Sequence, residues 1–161
     1  MALPSLEFLC ACLAAGLLDH YGIVRPPVPV REMLDSPPPD LAGDICLTLG
    51  LPFGNALWLR LLGGQGTVFV NNGLSEVEQR YAMARALFTG LCASKGGLEV
   101  GLPAVPNDAL NAQGAKFARQ LLMPPDLLPD EWQVMPPPEL ATLFLVPVSV
   151  AEMRVRELAQ E

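Results

Sequence analysis

The stretch SEVEQRYAMARALFTGLCAS, from Ser75 to Ser94, commits the chain to a long helix around which the rest must pack. Ser75 with Glu78 three places on is a capping box, in which the hydroxyl accepts an orphan backbone N–H and the carboxylate accepts the N–H of the cap. Behind it Val77, Tyr81, Ala84, Phe88 and Leu91 recur at steps of four and three, the spacing of one apolar helix face. Such a face has to be covered, so the helix is expected inside a core. Arg85 and Thr89, one turn apart at the edge of the stripe, can face one neighbouring cleft.

The segments before it suggest what does the covering. Leu6 to Tyr21 reads as an almost wholly apolar helix, expected to be buried nearly all round, with Gly22 placed as its left-handed C-terminal cap. The prolines of IVRPPVPV, Ile23 to Val30, favour extended backbone, and a short helix over Val30 to Leu34 and a rigid loop at Asp35 to Leu41 come next. Between Asp44 and Asn72 three short apolar runs, Asp44 to Leu49, Asn55 to Leu62 and Thr67 to Asn71, are separated by glycine-rich turns. They read as an antiparallel three-stranded meander, which needs a helix on one face to be stable. The capped helix supplies that layer.

Beyond Ser94 a glycine- and proline-rich loop extends to about Asn107, and a helix over Asp108 to Met123 sets Leu110, Gly114, Phe117 and Leu121 on one side. Pro124 and Pro125 stop it. Short helices are expected from Pro129 and from Pro136, and a last one opens at Ser149 with Glu152 as a second capping box. The fold class expected is α+β, a small three-stranded antiparallel sheet against a mostly helical body. With 161 residues, 51% of them hydrophobic, the chain is read as one domain over 1–161.

Charge and cysteine usage narrow the functions. A formal charge of -7 with ten scattered basic residues argues against direct binding of nucleic acid, which needs clustered Lys and Arg. The apolar run Phe8 to Leu18 is far short of the roughly 20 residues of a spanning helix, and no basic residue precedes it as a signal peptide would require. No membrane association and a cytoplasmic location are the expectation. Cys10, Cys12, Cys46 and Cys92 show neither a C-x-x-C pair nor zinc-site spacing, and read as reduced apolar fillers.

Four landmarks, in order, resemble the ImmA/IrrE family of zincin-like metallopeptidase domains. Gln79-Arg-Tyr-Ala-Met-Ala-Arg-Ala-Leu-Phe-Thr89 is similar to that family's active-site helix, and Phe117-Ala-Arg-Gln-Leu-Leu-Met-Pro124 to its helix ending F-A-x-x-L-L-M-P. Val148, Ser149, Met153 and Arg156 match a terminal V-S-x-x-x-M-x-x-R, and Tyr21-Gly-Ile with Pro26-Pro-Val-Pro resembles the opening segment. The resemblance implies a zincin-like fold.

It breaks at the chemistry. A zincin holds its metal with histidines at i and i+4 and uses the glutamate between them as general base. The matching positions here are Arg85, Ala86 and Thr89, and the family's third ligand, a glutamate ahead of the F-A landmark, falls on Asn111 or Gln113. A guanidinium has no lone pair to give a cation. No metal, no cofactor and no family-type catalysis is expected, and Arg85, Ala86, Thr89, Asn111 and Gln113 become vestigial cleft positions of a pseudoenzyme. Since active members are associated with cleaving helix-turn-helix repressors, the resemblance implies a regulatory protein partner of that kind. Two further classes stay open: a small-molecule or apolar-ligand module, and a hydrolase using Cys or Ser with His20. The high apolar content fits a homo-oligomer interface equally well. Arg85 either carries a fixed charge into the cleft or reaches solvent along its apolar stem. Asn71, Asn72 and the loop Lys95 to Pro106 either border the cleft or only form turns.

Overall fold

The computed structural model describes residues 5–60, 62–102 and 107–160. Helices α1 (Leu6–His20) and α2 (Val30–Asp35) precede strands β1 (Leu47–Leu49), β2 (Ala56–Arg60) and β3 (Gly66–Val70). Helices α3 (Glu76–Ala93), α4 (Lys95–Glu99), α5 (Asn107–Leu122), α6 (Pro137–Phe144) and α7 (Val148–Leu158) complete the order, so the fold is mixed α+β.

Helix α3 is the centre, and its capping box closes: the Glu78 carboxylate accepts the Ser75 hydroxyl at 2.7 Å and the Ser75 N–H at 3.0 Å. Those bonds, the hydroxyl's first, hold the Glu78 carboxyl below its ordinary value. The buried arc is wider than the expected stripe. Ala82, Met83, Ala86, Leu87 and Cys92 are buried along with Ala84, Phe88 and Leu91, while Val77 and Tyr81 are half-buried. The cause is that α3 touches α2, α4, α5 and two strands, so most of its circumference has a neighbour. Phe88 and Phe117, both fully buried with ring centroids 5.3 Å apart, join α3 to α5 in a contiguous apolar core.

The sheet departs from a meander. Its order is β1-β3-β2, with β2 antiparallel to β3 but β1 parallel to it. The Gly-Gly-Gln-Gly turn makes a β2–β3 hairpin, and β1 adds to the free edge of β3. Val68 and Val70 of β3 are fully buried, which suits the strand with neighbours on both sides. The connection through Gly50 to Asn55 wraps the end of β3, where Gly50 and Leu51 donate to the Val70 carbonyl at 3.0 and 3.1 Å. It crosses about 10 Å, two strand spacings, with Gly50 and Gly54 at positive φ of 110° and 66°. Gly66 is needed for a different reason: a Cβ there would lie 2.1 Å from the Asp44 carbonyl oxygen, inside the β1 edge.

Helix α1 ends as read, with Gly22 at φ 61°. It is not buried nearly all round. Cys10, Ala14 and Leu17 are buried, but Ala11, Cys12 and Ala15 are exposed and Phe8 is 60% exposed. A helix apolar on every side still has only one side toward this core, because α5 is its main neighbour. Three smaller expectations also change. Residues 95–99 form α4 rather than loop, capped by Ser94, while 103–106 lie outside the described residues. Pro129 begins turns, not a helix. Helix α7 starts one residue before Ser149, with Pro147 as its cap and no side-chain capping bond, so the second capping box does not form.

Charged side chains brace the far ends. Arg80 donates from Nε to the Leu145 carbonyl at 3.0 Å and from Nη2 to the Val28 carbonyl at 2.7 Å, tying α3 to the end of α6 and to the proline segment. Arg119 on α5 donates to Glu157 on α7 at 2.9 and 2.5 Å, and Arg154, 1% exposed, donates to the Met123 carbonyl at 3.2 Å.

Candidate functional site

Four of the five sequence-derived cleft positions meet. Arg85, Ala86 and Thr89 on α3 and Asn111 on α5 line one pocket of about 120 Å³, whose third wall is the start of β2. On α3 the lining residues are Ala82, Arg85, Ala86 and Thr89, a step pattern of three, one and three that keeps them on one face. Gln113 is not among the lining residues. Asn111 and Gln113 are two apart on a helix and so point about 200° away from each other, which forbids both from serving one cleft. The Gln113 Oε1 is buried elsewhere without a hydrogen-bond partner among the described residues.

Asn55 and Trp58 were not legible as site residues, yet both line the pocket. Trp58 pairs with Val68 in register, which turns it to the α3 side of the sheet, and its Nε1 donates to the Asp44 carbonyl at 2.8 Å. Gly90 gives it room: a Cβ there would meet the indole at 3.0 Å. A glycine inside the buried face of α3 was the one available signal. Asn71, by contrast, is a turn former, donating from Nδ2 to the Gly54 carbonyl and accepting the Gly73 N–H, both at 2.8 Å. Neither it nor Asn72 lines the pocket.

The electrostatics centre on Arg85. It is half-buried, with its guanidinium carbon 5.8 Å from the centre of the Tyr81 ring, and among the described residues it has no ion-pair partner. Around it the pocket supplies the Thr89 hydroxyl and the amides of Asn55 and Asn111. The space is below the usual range for small-molecule sites, about 300–1,000 Å³, and leaves room for a carboxylate and its adjoining carbon. The set is rich in donors and holds neither a carboxylate nor an imidazole, so it suits an anionic group.

No family model matches this chain, and no curated protein matches it. Its chemistry therefore has to be read from its own side chains. Among the described residues no three His, Cys, Asp or Glu gather as a metal-binding group, and no helix is long and apolar enough to cross a membrane. Cys12, His20 and Ser94 share a separate apolar pocket of about 410 Å³. Cys12 and His20 are eight residues apart on α1, about 12 Å along its axis. Ser94 donates to the Leu91 carbonyl at 2.7 Å and accepts the Gly97 N–H at 3.0 Å, so its hydroxyl is engaged in capping α4. Burial pushes the Cys10 thiol up to about 11 and the Cys92 thiol up to about 12, which keeps both protonated at neutral pH.

Proposed function

We propose that this chain is a degenerate ImmA/IrrE-like protein with a zincin-like fold, which binds a regulatory protein partner without cleaving it. In this reading Arg85 takes the place of the metal as the positive centre of the cleft. A carboxylate of the partner, on a side chain or at a chain end, is received by the guanidinium with Thr89, Asn55 and Asn111 beside it. The observation that carries the reading is the convergence of Arg85, Thr89 and Asn111 on one small donor-rich pocket, with no acid of the described chain paired to Arg85. The small volume supports a protein group over a free metabolite. The partner class, a helix-turn-helix repressor, rests on the resemblance.

The test uses protein purified without chelators, its metal content, and an immobilised form exposed to helix-turn-helix repressors from the same cells. Expected are substoichiometric zinc, no cleavage of any repressor with or without added zinc, and capture of one of them that falls at least tenfold in Arg85→Ala. Stoichiometric zinc with chelator-sensitive cleavage would overturn the reading, and so would capture indifferent to Arg85.

A further inference from the structure

A groove of about 690 Å³ runs along the exposed side of α1, bounded opposite by the end of α5, the 3-10 turn Pro125–Leu127 and α7. It shares no lining residue with the Arg85 pocket, so a ligand bound here is independent of the role assigned to that pocket. Its volume falls in the usual range for small-molecule sites, about 300–1,000 Å³. The α1 wall extends from Glu7 to Asp19, about 18 Å at the helical rise. Ala11, Ala14 and Ala15 make the trough, since nothing beyond Cβ fills it, and Phe8, Leu18 and Leu127 supply larger apolar walls.

The polar groups of the groove differ in whether they are already engaged. Arg154 is held, donating to the Met123 carbonyl at 3.2 Å with Glu157 at 3.6 Å. Glu7 is held by Lys116 at 2.5 Å. Gln120, only 7% exposed, is not: its Oε1 is buried and has no hydrogen-bond partner among the described residues. At the rim Asp19 and Asp126 are exposed and, among the described residues, have no ion-pair partner. Asp19 also sits in the last turn of α1, at the negative end of the helix dipole. Among the described lining residues the charges without an ion-pair partner are thus both acids, and the buried amide oxygen lacks a donor.

We propose that this groove is a binding site for a small primary amine with an apolar alkyl or aryl body. The ammonium lies on the acidic rim at Asp19 and Asp126, and the body lies along the alanine trough. An acid of the same body would bring its charge against those carboxylates, with Arg154, the one cation among the described lining residues, already engaged.

Titration calorimetry at low ionic strength with 4-phenylbutylamine and 4-phenylbutanoate tests this, because the two share a body and differ in the sign of the head group. Expected is saturable one-to-one binding of the amine, at least tenfold tighter than the acid. Ala15→Trp, at an exposed position, fills the trough and weakens the amine at least tenfold, and Ala11→Trp serves as the second trough variant, each checked for native circular dichroism. Asp19→Asn combined with Asp126→Asn brings amine and acid within about threefold of each other. Equal affinities in the native protein, no binding of the amine, or binding unmoved by both tryptophan variants would overturn the proposal. Response to a lysine-rich helical peptide alone, with none to the amine, would overturn it too and assign the groove to a protein partner.

Discussion

Arg80 and Arg85 lie on the same helix, five residues apart, and among the described residues only Arg80 is hydrogen-bonded to distant parts of the chain. Around Arg80, in the first turns of α3, polar groups have assigned partners: Ser75 and Glu78 satisfy one another, Gln79 donates to the Leu74 carbonyl at 2.9 Å, and Arg80 bridges two distant carbonyls. Around Arg85, further along, a cation, a hydroxyl and two amides share a pocket and Arg85 has no acid opposite it among the described residues. The first region uses charge to hold the fold together. The second leaves its charge available to another molecule, which is why the functional proposal rests there. Three measurements of stability press on that contrast.

The largest effect is expected from Arg80→Ala. It removes two bonds from a charged donor and leaves the Leu145 and Val28 carbonyls without it, in a region where Leu145 itself closes α6 at φ 50°. Bonds from charged donors contribute about 1.5–3 kcal/mol each, and water can replace part of this at a half-buried site, so a loss of about 2–3 kcal/mol is expected in urea unfolding. Arg80→Lys is expected to recover less than half of that, since a single ammonium does not span both carbonyls in the guanidinium's fork geometry. A cost under about 0.5 kcal/mol for Arg80→Ala, the level of an ordinary surface change, would erase the distinction between the two arginines.

A middling effect belongs to the cap. Ser75→Ala is expected to cost about 1 kcal/mol, the usual magnitude for losing an N-cap side chain. The same bonds couple stability to pH through Glu78. Its carboxyl is held below the ordinary 4.5, so the stabilisation is present above that value and is lost as pH falls through the lower folded value. Unfolding midpoints followed from pH 6 downward check the sign: Glu78→Gln is expected to flatten the decline, and an unchanged slope would mean that the cap is not what Glu78 supports.

How much of this was readable beforehand depended on the range of the interactions. The cap, the left-handed Gly22 and the span of α5 depend on residues a few places apart, and they stand close to where the sequence put them. Helical spacing alone set Arg85 and Thr89 on one face, whereas Ala86 and Asn111 were named only through the resemblance, and all four line one pocket. Gln113 stood as the alternative to Asn111 for one position, and since a two-residue step reverses direction on a helix only one of the pair could face the cleft. The parallel β1 was out of reach for a different reason. A three-residue strand with two exposed side chains carries no preference for either edge of the hairpin, and what decides is the connection from Gly50 wrapping the end of β3. Asn55 and Trp58 depended on that same register. For α1, an apolar sequence on all sides concealed that the core offers only one side to cover it, and the uncovered side is where the second groove lies.

The smallest effect on stability is the one the functional reading most needs. Arg85→Ala removes a guanidinium that lines the pocket and lies over the Tyr81 ring, and a cation over an aromatic face at a partly exposed position contributes about 0.5–1 kcal/mol. Against that, alanine is a better helix former than arginine by a few tenths of a kcal/mol, and the desolvation of a half-buried charge is relieved. A net change within about 0.5 kcal/mol is expected by urea unfolding, several times less than for Arg80 on the same helix. A loss of 2 kcal/mol or more would mean that Arg85 is a brace like Arg80, and its pocket would then be a by-product of packing. Near-neutral stability together with lost capture of a repressor separates the two arginines by role, since a residue that contributes little to folding and much to binding is held in place for what it meets from outside.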